Sequence, residues 1–195
     1  MATYKEIKGT NIEVLESDPS NAVEGQIWFN STDQVLKGDA GTPVLVWTTT
    51  NPMNSGRYGM GSSGTQTSAL GFGGNGPSPG QTAVTESWNG TNWTELNDMN
   101  KARTALGGAG TQTLALGFGG EYDATPAIEA NTEEWNGVSW VEVADLNTAR
   151  YYVTGAGSST AALAALGKTS VPGGIVGATE EWSGSSVTTK TVSTD

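Results

Sequence analysis

The sequence predicts an all-β protein, and three observations carry that expectation. Among 195 residues there are 28 glycines and seven tryptophans, with abundant Thr and Ser and almost no blocks of helix-favouring Ala, Glu, Lys and Leu. Apolar runs are strand-sized and end at Gly, Asn or a polar turn pair. Finally, one phrase returns: TESWNGTNWTEL at 85 to 96, TEEWNGVSWVEV at 132 to 143, and TEEWSGSSVTTK at 179 to 190. A hydrophobic fraction of 35% is low for a compact enzyme core, so the core is expected to be thin or shared between layers.

The repeat has a period of 46 to 47 residues, as the arithmetic of its marker positions shows: Arg57, Arg103 and Arg150, then Trp88, Trp135 and Trp182. Trp47, Trp93 and Trp140 keep the same step. Periods of this size belong to propeller-type or stacked arrays. Within the middle copy four pieces follow one another: the stretch beginning at Arg103, TLALGFGG at 113 to 120, NTEEWNG at 131 to 137 and VSWVEV at 138 to 143. They predict four short antiparallel strands per copy.

The recurring residue types have physical reasons. Gly73-Gly74 and Gly119-Gly120 close the second strand where a backbone or a large ring must approach. The third copy has Leu166-Gly167 there, so that unit is expected to pack differently. Trp88, Trp135 and Trp182 precede tight turn pairs and are expected, with the other repeated tryptophans, to be packing anchors rather than sugar platforms, because ligand sites seldom recur in every copy. Arg57, Arg103 and Arg150 and the acidic Glu86, Glu133 and Glu180 occur once per repeat. They are expected to pair and fix sheet to sheet, or to bond loop carbonyls.

Residues 1 to 43 do not carry the repeat and are expected to form a separate attachment segment, with a turn at SDPSN and a hairpin from GQIWFN through STD to QVLKG. Residues 44 to 195 form the repeat domain. The first residues, MATYKEIKGTN, have no apolar leader run, and nowhere do 18 apolar residues follow one another, so neither Sec-type export nor a membrane span is expected. The sequons at Asn30, Asn89 and Asn92 then reflect Asn and Thr richness rather than glycosylation.

Composition excludes several kinds of chemistry. Twenty acidic against nine scattered basic residues, a net charge of −11, is the opposite of a nucleic-acid binder's footprint. Without cysteine or histidine there can be no disulfides, no Ser-His-Asp or Cys-His nucleophile and no Cys or His metal site. Adjacent carboxylates such as Glu133-Glu134 and Glu180-Glu181 point to opposite faces of a strand and cannot flank one glycosidic bond. GFGGNG at 71 to 76 lacks the Lys and the helix of a phosphate loop, and no calcium loop appears. The chain is expected to be no enzyme and to use no cofactor.

The paired glycines after an apolar strand, the Trp near a turn and the second Trp about five residues on resemble kelch-type repeats over residues 44 to 192. That resemblance implies three kelch-like four-stranded antiparallel repeats, propeller- or prism-like, and closed propellers use four to eight blades. The copper-radical oxidases that share such propellers need Cys and His, which are absent. SDPSNAVEGQIWFNSTDQVLKG, with its Gly-x-x-Trp-aromatic-Asn hairpin, is similar to the N-terminal segment of tail-fibre and related structural proteins of marine, cyanophage-like bacteriophages, and TEEWSG with TKTVSTD resembles their C-terminal ending, which would make the chain complete. The resemblance implies a virion structural protein that docks on a tail, neck or capsid through its N-terminal hairpin, with Ile27, Trp28 and Phe29 as docking residues. Other virion proteins are the expected partners, with a host-surface glycan as a further candidate. The alternatives are a carbohydrate-binding receptor-recognition module and, third, a polysaccharide-cleaving enzyme.

Two further expectations concern assembly and contact. Three four-stranded units leave edges that natural proteins cover, so a homo-oligomer is expected, with a trimer favoured over a dimer completing a six-bladed ring. The connections that differ between copies, NGPSPGQT, EYDATPAIEA and KTSVPGGIVG, are where a receptor would be touched. Glu121, Tyr122 and Asp123 in the middle one combine an aromatic face with acceptors for sugar hydroxyls.

Overall fold

The computed structural model describes residues 12–22, 25–38, 47–77, 80–122, 127–169, 174–184 and, for the backbone alone, 187–190. Among them there are strands and turns and no helix. The chain divides into two compact units, Met1–Thr49 and Thr50–Asp195.

The first unit holds a three-stranded sheet of β1 (Glu13–Leu15), β2 (Ile27–Asn30) and β3 (Val35–Gly38). β2 and β3 form the expected hairpin, with Asn30 opposite Val35. Its turn is shaped by Asn30, whose side-chain oxygen accepts from the amides of Thr32 at 3.0 Å and Asp33 at 2.9 Å. β1 pairs with β2 in parallel, a strand whose short sequence EVL carries no alternation to reveal it.

The second unit contains three antiparallel sheets of four strands, each built from consecutive chain. The first sheet is β4 (Gly61–Thr65), β5 (Ser68–Phe72), β6 (Thr85–Trp88) and β7 (Trp93–Glu95). In the second, β8 (Gly107–Gly110) and β9 (Ala115–Phe118) are followed by a two-stranded excursion, β10 (Glu121–Tyr122) with β11 (Ala127–Ile128). β12 (Thr132–Trp135) and β13 (Trp140–Val143) complete it. The third is β14 (Thr154–Gly157), β15 (Ala162–Ala165), β16 (Thr179–Trp182) and β17 (Val187–Lys190).

The sheets stack through their first strands: β4 packs on β8 and β8 on β14, while β4 and β14 share no comparable contact. The series is therefore open at both ends. Register places the apolar residues in the two gaps. In the first sheet Leu70 and Phe72 point toward the second, where they meet Met99, Leu106, Ala115, Trp135 and Trp140. One step on, Leu116 and Phe118 of the second sheet meet Leu146, Val153, Ala162, Ala164 and Trp182. Phe72 packs edge-on to Trp140 with ring centroids 4.8 Å apart, and Trp140 lies 5.6 Å from Trp135.

The tryptophans divide by position. Trp88, Trp135, Trp140 and Trp182 are buried and Trp93 is half-buried, but Trp47, which shares their period, is 104% exposed. The expectation that all six repeated rings pack is corrected at Trp47. Its segment, 47–50, belongs to no strand, so no neighbouring sheet encloses the ring.

The paired glycines act at the seams between copies. A Cβ on Gly73 would stand 2.8 Å from the Arg103 carbonyl oxygen, and one on Gly119 would stand 2.6 Å from that of Arg150. Both have positive φ, 64° in each case. The amides of Gly74 and Gly120 then donate to those carbonyls at 2.8 and 2.9 Å, lacing each copy to the next.

Because Trp135 is 1% exposed and sits at the seam between the first two sheets, Trp135→Ala is expected to cost roughly 3–5 kcal/mol. Chemical denaturation of parent and variant measures it. A loss below about 1 kcal/mol would contradict the packing role.

Candidate functional site

One buried polar cluster is built three times, once in each sheet. In the second copy the connection leaving β7 runs Met99-Asn100-Lys101-Ala102-Arg103 before the next sheet begins. Arg103, fully buried, donates from Nη1 to the carbonyls of Gly119, at 2.9 Å, and Asn131. Its Nη2 reaches the Gly117 carbonyl and Glu133 Oε1, each at 3.1 Å. The other carboxylate oxygen of Glu133 accepts from the amide of Asn100 at 2.7 Å and from its side chain at 2.9 Å. The Asn100 side chain also donates to the Trp140 carbonyl at 3.0 Å. One carboxylate thus holds both ends of the connecting loop against the middle of the sheet.

The outer copies repeat this with small variations. Arg57 meets Glu86 at 2.5 Å with both side chains fully buried, and the amide of Asn54 donates to Glu86 at 2.8 Å. Arg150 meets Glu180 at 2.7 Å and also donates to the Ala178 carbonyl at 2.8 Å, while Asn147 donates its amide to Glu180 at 2.6 Å. The guanidinium in each copy both pairs with the carboxylate and bonds loop or strand carbonyls, so pairing and carbonyl bonding coexist, but each pair lies within one copy and fixes a loop to its own sheet rather than sheet to sheet. Asn54, Asn100 and Asn147 were not singled out from the sequence. Their signal was an Asn three residues before every repeated Arg.

The electrostatics follow from this enclosure. Burial pushes the Arg103 guanidinium below its usual value, opposed by Glu133. For Glu86 burial acts to raise the pKa, but the Arg57 hydrogen bond and the amides of Asn54 and Ser55 outweigh it and hold the carboxyl below its ordinary range. These groups are enclosed and mutually neutralised, an arrangement suited to holding a sheet rather than moving protons.

Of the expected contact residues, Tyr122 lies on the surface. Glu121 is half-buried and its backbone pairs with Thr104; Tyr122 is 44% exposed; Asp123 lies outside the described residues. Lys101 Nζ sits 5.8 Å from the Tyr122 ring centroid and is itself bound to Glu129 at 2.7 Å. The third copy has a similar pair, Lys168 5.7 Å from the Tyr152 ring, on a tyrosine that is 61% exposed. A crevice of about 20 Å³ between the second and third sheets, lined by Leu116, Phe118, Leu146 and Trp182 among others, has room for little more than a water molecule. Among the described residues no group of three His, Cys, Asp or Glu side chains is placed to hold a metal ion.

The docking candidates of the first unit separate by exposure. Ile27 is 44% exposed and Phe29 half-buried, but Trp28 is 6% exposed and turned inward, its Nε1 donating to Asp18 at 3.1 Å. Asp18 also accepts from Asn30 at 2.8 Å and from Lys37 at 2.7 Å, and Lys37 reaches Asp33 at 2.6 Å. Trp28 therefore shapes the hairpin, and Ile27 is the candidate with surface to offer.

Comparison with protein-family models finds no match to this chain, and comparison with curated protein sequences finds none.

Two predictions come from these clusters. Arg103→Met leaves Glu133 buried without its cation and is expected to cost about 3–5 kcal/mol, whereas Arg103→Met combined with Glu133→Leu is expected to cost less than the sum of the single changes. A denaturation double-mutant cycle measures the coupling; strict additivity would contradict the pair. In the first unit, the hydrogen bonds from Lys37, Asn30 and Trp28 lower the Asp18 carboxyl to about 2. A depressed carboxylate contributes stability above its unfolded value, about 3.9, and loses it as pH falls through the folded one. The stability contribution is thus lost between about pH 4 and 2, while the Trp28 indole N–H resonance of the folded protein is expected to hold its position down to about pH 3 and to titrate with a midpoint near pH 2. Asp18→Ala should abolish that titration.

Proposed function

We propose that this chain is a non-enzymatic structural protein of a bacteriophage virion, a fibre, spike or decoration that docks by its N-terminal unit and projects a kelch-like series of sheets. The observation that carries the reading is that the repeated ionisable side chains, Arg57–Glu86, Arg103–Glu133 and Arg150–Glu180, are spent on one another inside the sheets. What remains for contact is an acidic surface and connections that differ from copy to copy. The resemblance of the Gly-x-x-Trp-aromatic-Asn hairpin to tail-fibre segments supports attachment through that unit. In this reading the partners are other virion proteins and further copies of the chain, as a trimer.

Mass spectrometry and immuno-gold labelling of purified particles test it. A fixed copy number per virion supports the proposal, and absence from particles overturns it. A solution mass equal to one chain of 20.1 kDa would remove the oligomer.

A second reading, recognition of a host glycan, is favoured by the exposed Tyr122 beside Lys101 and Glu121. Tyr122→Ala, with assembly unchanged, is expected to lower adsorption to host cells about tenfold if the ring stacks on a sugar. Adsorption equal to the parent's removes this loop as the contact.

A further inference from the structure

The series of sheets has two outward faces, one on the first sheet and one on the third. Each is the counterpart, by repeat position, of a face that is buried at an interior seam of the same chain.

An interior seam depends on a large ring and on missing side chains around it. Phe72 or Phe118 projects from the receiving sheet beside Gly61 or Gly107, where a Cβ would stand 3.0 Å or 2.9 Å from the ring's Cδ2. The arriving sheet lays Gly108 or Gly155 against that ring and the neighbouring strand: a Cβ would come within 2.9 Å of Phe72 Cζ at Gly108 and 2.7 Å of Phe118 Cζ at Gly155. At Gly108 it would also stand 2.5 Å from the Ser62 carbonyl oxygen. Beside the ring, Gly73 or Gly119 leaves space for the arriving Arg103 or Arg150 carbonyl. The approaches to the Ser62, Gly108, Arg103 and Arg150 carbonyls are between backbones, which no rotamer change relieves.

The outward faces lack these features. On the third sheet Ala165 stands where Phe72 and Phe118 stand, the exposed Thr154 replaces Gly61 and Gly107, and Leu166 replaces Gly73 and Gly119. Leu166 keeps the left-handed backbone of the glycines it replaces, with φ of 62° against their 64°, a conformation that bulky residues rarely adopt. Its Cβ therefore lies where an arriving carbonyl would have to sit, and its side chain is 54% exposed. On the first sheet, exposed Ser62 occupies the place of Gly108 and Gly155. There Met60 folds its own Cε over Gly71, whereas the equivalent Gly117 is covered by Phe72 of the neighbouring sheet.

We infer that both outward faces are caps: Ser62 and Met60 at one end, and Thr154, Ala165 and Leu166 at the other, bar a second copy of this chain from adding its sheets in the geometry of the interior seams. The first sheet plugs its own glycine, and the third has exchanged ring and glycines together for residues that leave no slot. Self-association of the chain, including the trimer proposed above, then runs through other surfaces. The inference rests on the stacking alone and stands whether or not the protein belongs to a virion.

Restoring the interior residue types tests this in the full chain. Ser62→Gly, Met60→Leu, Thr154→Gly, Ala165→Phe and Leu166→Gly together are expected to make the light-scattering mass climb with concentration to roughly double the parent's or more, as a head-to-tail contact would, while the parent's mass stays constant. A folded variant whose mass follows the parent's overturns the inference. The second arm uses the absence of cysteine in the chain, with only Ser62→Cys and Ala165→Cys introduced. Under oxidation no 62–165 cross-link between chains is expected, and such a cross-link, mapped by peptide mass spectrometry, overturns the inference even if the fivefold variant does not fold.

Discussion

The repeat domain depends on a charge pair buried at the middle of each sheet. Arg103 and Glu133 are nearly inaccessible to water, and neither could be left there alone without a large desolvation cost. Together they make a bridge with three purposes. The guanidinium binds carbonyls at the ends of strands β9 and β12, the carboxylate binds the incoming Asn100, and Asn100 binds the outer strand β13. Each sheet is thereby held to the loop that delivers the chain into it. The same constraint explains the thin core: short strands with many glycines bury little apolar surface, and a directional polar clamp supplies the order that packing volume does not.

The apolar seams are a consequence of where the clamps put the loops. With the Arg103 turn held, its carbonyl meets the Gly74 amide of the preceding copy, and Leu106 lies over Gly73. Phe72 is then opposite Gly108, Gly117 and Trp140. A ring this large can enter only because three of its neighbours, Gly61, Gly108 and Gly117, lack a Cβ, so the glycines are as much a part of the seam as the ring is. The third sheet illustrates the dependence in reverse, since Ala165, Thr154 and Leu166 change together where no further sheet is received.

In the proposed reading, contact is left to the variable connections and the N-terminal unit, because the repeated Arg and Glu side chains are already committed to one another. The lysine near Tyr122 is bound to Glu129, and Trp28 is buried and bound to Asp18, so even the groups at these places are partly fixed by local pairs. The side chains free to meet a partner are those, such as Ile27, Tyr122 and Tyr152, that remain substantially exposed.

The sequence by itself determined the all-β class, four strands per copy and the residue types at the seams, because strand length, turn pairs and a fixed period are local properties of the chain. It also carried the pairing of Arg with Glu as one of two readings. Only the tertiary structure decided that one guanidinium serves both readings, that Asn100 joins them and that Trp47 lies outside every sheet, since these depend on which strands meet. The parallel strand β1 and the two-stranded excursion of β10 and β11 were likewise illegible, being too short to show a period. The open ends of the series were decided by contact between residues some 46 positions apart: whether Ser62 or Gly108 has a neighbour is a fact about the stack, not about either residue's own stretch of chain.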